Sequence, residues 1–138
     1  VRVLNLFYAE LITDEGLAHF QGLEHLQILR LEREDFPKPG QPAARRVTDA
    51  GLERLKGLTN LEHLDLIGQA ITDAGLERLK GLINLSELYL SGDGLTDVGL
   101  EHLKGLSHLK YLHLYKTRVT PEGQTGLKSK LPMLRIGG

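Results

Sequence analysis

Apolar and polar positions along this chain follow one template written several times over. In L-E-H-L-D-L, from Leu61 to Leu66, two leucines stand at strand spacing, and a turn through Gly68 follows. In T-D-A-G-L-E-R-L-K-G, Leu76 and Leu79 are three apart, which predicts a short helix. Thr72 sits at its N-cap, Asp73 in the first turn where the helix dipole favours an acid, and Gly81 at the C′ position. Glu77 precedes Lys80 by three residues and Glu53 precedes Lys56 likewise, giving a charge-paired outer face. Each unit therefore reads as strand, turn, short helix and return.

The unit recurs. V-T-D-A-G-L-E-R-L-K-G-L from Val47, I-T-D-A-G-L-E-R-L-K-G-L from Ile71 and L-T-D-V-G-L-E-H-L-K-G-L from Leu95 start 24 residues apart, and V-T-P-E-G from Val119 keeps the step. An earlier copy, I-T-D-E-G-L-A-H-F-Q-G-L, starts at Ile12, which is 35 residues before Val47, so this unit carries an insertion of 11 residues. A fixed period in the twenties is the signature of a solenoid, in which each unit buries its apolar side only against its neighbours.

The pattern L-x-x-L-x-L-x-x-x-x-I-T-D-x-G-L-x-x-L-K-G-L resembles the leucine-rich repeat, in the 24-residue bacterial form close to the cysteine-containing, ribonuclease-inhibitor-like subtype. The resemblance covers residues 1–138 as a single domain of about five repeats, apart from the insertion. It implies an α/β fold: a right-handed solenoid, or horseshoe, with a parallel β-sheet on the concave face and short helices on the convex face. The family usually places Asn, Cys or Thr where this chain has Glu34, Gln69, Asp93 and Thr117.

Composition narrows the function classes. The chain has 138 residues, 17 basic against 18 acidic side chains and a net charge of −1, which makes no electrostatic case for nucleic acid or a membrane surface. No apolar run approaches the ~18 residues of a membrane helix, and no signal-peptide pattern opens the chain. With no cysteine, disulfides, thiol chemistry and Cys-ligated zinc are excluded, while the compartment stays open, the cytoplasm slightly favoured. Thirty leucines and only 5% aromatics describe a core built from one side chain. Val1 already lies in a strand, V-R-V-L-N-L, and L-P-M-L-R-I-G-G closes the chain as another with no helix over it. The expectation is a piece of a longer chain, or ends that meet something else.

The insertion, at about residues 37–46, holds three prolines, a glycine and no apolar periodicity, and reads as a loop between a strand end and the next helix. Lys38, Arg45 and Arg46, with Arg33 nearby, make it locally basic. A tolerated surface excursion is the preferred reading over a finger that touches a partner.

Alternation on the strands assigns outward positions: Ile28, Arg30 and Glu32; His63, Asp65 and Ile67; Glu87, Tyr89 and Ser91; Tyr111, His113 and Tyr115. Two columns follow across the sheet, Ile28–His63–Glu87–Tyr111 and Arg30–Asp65–Tyr89–His113. All four tyrosines, Tyr8 included, occupy outward positions, with Phe7 beside them, while Phe20 and Phe36 stand in core slots. Tyr favours strands in general, yet Tyr among His, Asp, Arg and Glu also has the make-up of a protein-binding hot spot. Tyr89, Tyr111, Tyr115 and His113 are thus candidate contact anchors, and Asp65, Glu87, Arg30 and His63 candidate charge-register residues.

His63, Asp65 and Glu87 also invite a metal or acid–base reading, which is disfavoured because an open sheet encloses no pocket. His19 and His102, in a slot held elsewhere by arginine, and His25 and His108, in a slot held by Asn60 and Asn84, read as surface variation. Gly16, Gly51, Gly75, Gly99 and Gly123 recur without a phosphate-loop motif and read as packing glycines. The expected function is a non-enzymatic interaction module without a cofactor, binding a protein or peptide on the concave sheet as part of a larger protein. The alternative is a structural spacer that stacks on further repeats or associates end to end with itself.

Overall fold

The computed structural model describes residues 1–7, 12–33 and 46–138. Tyr8, Glu34, Phe36 and the insertion as far as Arg45 lie outside the described residues. Six strands form one parallel sheet in chain order: β1 (Val3–Asn5), β2 (Ile28–Arg30), β3 (His63–Asp65), β4 (Glu87–Ser91), β5 (Tyr111–Tyr115) and β6 (Arg135–Gly137). Helical segments alternate with them: α1 (Asp14–Leu17), α2 (Asp49–Leu52), α3 (Asp73–Leu76), α4 (Asp97–Leu100) and α5 (Pro121–Lys130). Each of the first four continues into a three-residue 3₁₀ turn. One turn of helix or three residues of strand does not persist alone in water, so packing between units holds these elements in place.

That packing is the leucine template. Leu61, Leu64 and Leu66 from the strand, Leu76 and Leu79 from the helical turn, and Leu82 and Leu85 from the return are all at most 1% exposed. Each contributes roughly 1.5–3 kcal/mol by leaving water. Phe20 packs against the same core, as its leucine slot requires. Register survives the change in spacing, since Ile28 pairs with His63 across the 11 extra residues as His63 pairs with Glu87 without them.

The T-D-x-G motif does more than cap and pack. Asp49 in α2 accepts from the Thr72 amide (2.8 Å) and hydroxyl (2.5 Å) of the next unit. Asp14 holds Thr48, Asp73 holds Thr96 and Asp97 holds Thr120 in the same way. A Cβ on Gly51, Gly75, Gly99 or Gly123 would collide with the Oδ1 of that same aspartate, whereas one on Gly16 would meet nothing within 4 Å. Thr and Gly of one unit are therefore the seat for Asp of the unit before. Gly16 stands in the first of these motifs, with no such aspartate against it.

Three local expectations change. Thr72 occupies the N-cap with extended backbone but makes no side-chain cap, whereas the Thr48 and Thr96 hydroxyls accept from Ala50 N–H (3.3 Å) and Val98 N–H (3.2 Å). Gly81 is not a left-handed helix stop, because positive φ among the described glycines occurs only at Gly68, Gly92 and Gly138. Helices here end by tightening into a 3₁₀ turn instead. His108 is not mere surface variation: its Nδ1 lies 3.0 Å from the Ile83 carbonyl, matching the bonds of Asn60 to Glu24 O and Asn84 to Thr59 O, each 2.7 Å.

The turns beyond the strands use one left-handed slot, filled by Gly68 (φ 80°), Gly92 (φ 115°) and Lys116 (φ 52°). At Gly68 a side chain would strike the Arg33 carbonyl. Gln69, 4% exposed, ties its own turn to the unit before: its Nε2 donates to Leu31 O at 2.5 Å, and its Oε1 accepts from Val47 N–H at 2.9 Å. Arg33 and Arg46 are 6% and 5% exposed, and Arg46 donates to the Gly68 carbonyl, so these two do not join a basic surface finger.

Candidate partner-binding face

Strand pairing assembles both expected columns. Ile28, His63, Glu87, Tyr111 and Arg135 are successive register partners, and so are Arg30, Asp65, Tyr89, His113 and Gly137. Both lie on the face of the sheet opposite the leucines, because successive strand side chains alternate in direction. Ser91 pairs with Tyr115 in a third column.

Five rings meet across β3, β4 and β5. The Tyr89 ring centroid lies 5.0 Å from His63, 5.6 Å from Tyr111 and 5.7 Å from His113, the last stacked at 27°. His113 in turn lies 6.4 Å from Tyr111 and 6.4 Å from Tyr115, stacked on the latter at 27°. Ring pairs at these separations contribute about 0.5–1.5 kcal/mol each beyond the area they bury, so the cluster holds its own shape. Tyr115 is 39% exposed, and the Lys116 ammonium stands 5.3 Å above its ring. Across β6, Gly137 leaves room for the Tyr111 hydroxyl; a Cβ there would lie 2.5 Å from it.

A polar chain borders the rings. Arg30 Nε donates to His63 Nε2 at 3.3 Å and its Nη1 to Asn5 Oδ1 at 3.2 Å. Guanidinium cannot accept, so His63 Nε2 carries the lone pair and Nδ1 the proton, which it gives to Glu87 Oε2 at 2.9 Å. These partners assign a neutral tautomer. The Tyr89 hydroxyl reaches the same Glu87 oxygen at 3.4 Å. Burial of Tyr89, then the Glu87 charge, pushes its phenol above the ordinary range.

Two outward positions are covered. Asp65 is only 6% exposed; its Oδ1 accepts from Ile67 N–H at 3.0 Å and so shapes the turn after β3. Burial raises its carboxyl above the ordinary value, against the backbone hydrogen bond from Ile67 and the nearby Arg30 charge. Arg30 is its register partner but gives its hydrogen bonds to His63 and Asn5, so the expected Arg30–Asp65 pair is one of position without a salt bridge. Ser91, 2% exposed, accepts from Gly68 N–H at 2.8 Å. Alternation gives the face a residue points to; it does not say that larger neighbours close over it.

Among the described residues no group of three His, Asp or Glu side chains could hold a metal ion, and no helix is long and apolar enough to cross a membrane. A cleft of about 520 Å³ lies off the face, at the turns beyond β3 and β4, lined among others by Ile71, Thr72, Asp93, Gly94 and Lys116. None of the candidate contact residues borders it.

Six parallel strands in chain order with helical turns on the return define a leucine-rich-repeat solenoid. Solved structures share it. An internalin (inlF) from Listeria monocytogenes str. 4b F2365 is 22% identical with a TM-score of 0.65, over 88% of this chain and 30% of that one. An internalin C2 (inlC2) from the same strain is 25% identical with a TM-score of 0.56, over 99% of this chain and 70% of that one. The chain thus spans under a third of the length of the first. No protein-family model and no curated protein matches it.

Proposed function

We propose that this chain is a non-enzymatic protein-interaction module that binds a protein or peptide on its concave sheet. Tyr89, Tyr111, Tyr115 and His113 act as contact anchors. Arg30, His63 and Glu87 fix the polar border, and Asp65 acts from beneath. The observation that carries this reading is the five-ring cluster on the face that the leucines leave uncovered. Aromatic side chains packed against one another on a rigid sheet lose little freedom on binding, and such residues dominate interface energetics. The sheet positions them without loops: buried Leu88 and Leu90 flank Tyr89, Leu112 and Leu114 flank His113, and Tyr111 and Tyr115 each adjoin one of that second pair.

The test is quantitative capture from a bacterial lysate with the parent and a Tyr89→Ala, Tyr111→Ala, Tyr115→Ala variant matched for helical and sheet signal. Proteins retained by the parent and lost from the variant support the reading. Identical retention by both baits refutes it.

A further inference from the structure

The concave face is electrically polar along the solenoid, and resting on the reading above, we infer that its partner is an extended segment carrying both a basic and an acidic residue around an apolar centre. Formal charges on the face separate by strand. Glu32 just past β2, Glu62 just ahead of β3 and Glu87 in β4 are acidic, over a buried Asp65. Lys110 just ahead of β5, Lys116 just past it and Arg135 in β6 are basic, with no acidic residue at the corresponding positions. Three basic residues stand at matching positions on the acidic side: Arg2 just ahead of β1, at the far edge of the sheet, Arg30, whose guanidinium is engaged by Asn5 and His63, and Arg33, which is only 6% exposed. The chain as a whole is nearly neutral at −1, so this separation is a property of the face and not of the overall composition.

The aromatic cluster lies between the two poles. Glu87, Tyr111 and Arg135 share one register row on β4, β5 and β6. Neighbouring strands lie about 4.8 Å apart, so the carboxylate strand and the guanidinium strand are roughly 10 Å apart. An extended segment advances about 3.3 Å per residue, so one crossing the strands places residues about three positions apart over the two poles. The residues between them lie over Tyr89, Tyr111 and His113. Lys110 and Arg135 are exposed and form no ion pair among the described residues, so the basic pole is available to an incoming carboxylate. At the acidic pole, Glu87 keeps a side chain 46% exposed after accepting from His63. Like charges set against either pole are repelled, and this gives the face its selectivity.

A displayed library of random dodecapeptides, selected on the immobilised chain, tests this. The expected winners carry a basic and an acidic residue about three positions apart with apolar residues between, and a Lys110→Glu, Arg135→Glu variant weakens them about tenfold. Selection on that variant then enriches peptides with two basic residues. Winners that depend on Tyr89 yet carry no charge pattern, or are indifferent to the reversal, overturn the polarity and leave the concave platform standing. Enrichment of nothing, or only of peptides indifferent to both variants, overturns the polarity and the platform together.

Discussion

Replacing Gly75 by alanine should destabilise the chain, although alanine for glycine in a helix ordinarily stabilises by about 0.5–1 kcal/mol. The added Cβ would sit 2.8 Å from Asp49 Cγ and 3.2 Å from Leu52 Cδ1, so the carboxylate must swing away. It then gives up the Thr72 amide at 2.8 Å and the Thr72 hydroxyl at 2.5 Å. Hydrogen bonds to a charged acceptor contribute about 1.5–3 kcal/mol each, and the low end applies because this pair is open to water. Two at that end come to about 3 kcal/mol, and the gain in helix propensity offsets about 1, leaving a net loss of about 2 kcal/mol. Gly16→Ala is the internal control, since no atom lies within 4 Å of its Cβ position; it should gain about 0.5–1 kcal/mol. Urea unfolding followed by circular dichroism reads both. In a double-mutant cycle with Asp49→Ala, the cost of Gly75→Ala should largely vanish. The reasoning is refuted if the two alanine variants shift the midpoint alike, or if the cycle shows no coupling.

Other consequences are read in similar ways. Asp65→Asn keeps an acceptor for Ile67 N–H while removing a carboxylate whose pKa burial raises; a raised carboxyl costs stability above its folded pKa and none once protonated, so the variant should melt higher than the parent at pH 7, with the gap closing toward pH 4. An equal gap at both pH values contradicts this. Asp97 is the opposite case: the Thr120 hydroxyl and then its amide hold the carboxyl below its ordinary value, so its contribution is complete above the usual carboxylate range and lost as pH falls through the lowered pKa. Thr120→Val should therefore weaken the chain more at neutral pH than in acid, where only the loss of its cap on Gly123 N–H remains. Lys116→Gly relieves a left-handed backbone at φ 52° and should raise stability by about 1 kcal/mol, where Gly92→Lys at the matching turn should lower it.

The fold was legible because the leucines carry it. Period, strand spacing and the three-residue step in each helix follow from repetition, and strand register pairs equivalent template positions, which stay matched even where 11 extra residues intervene. The candidate face followed from alternation, so Tyr89, Tyr111, Tyr115, His113, His63, Glu87 and Arg30 all lie where the spacing puts them. The bonding was harder to read. Thr, Asp and Gly each had a sufficient local explanation, as cap, dipole partner and packing residue, and that concealed their joint role between units. Their joint recurrence in successive motifs, and the absence of an aspartate at the T-P-E-G unit, is the signal that marks it. Asp65 and Ser91 stand at the outward positions that spacing assigns, yet are 6% and 2% exposed, because alternation is blind to neighbour size. The Arg30–His63–Glu87 chain needs side-chain geometry that no spacing contains.

The central claim is that the aromatic face, and not the helical one, meets the partner. Backbone amide shifts of the labelled chain, recorded while a library-selected dodecapeptide is titrated in, test this most directly. The account predicts changes concentrated in β3, β4, β5 and β6 and around Lys116, with α2, α3 and α4 silent. Changes centred on those helices, or on the cleft around Thr72 and Asp93 with the strands silent, would contradict it.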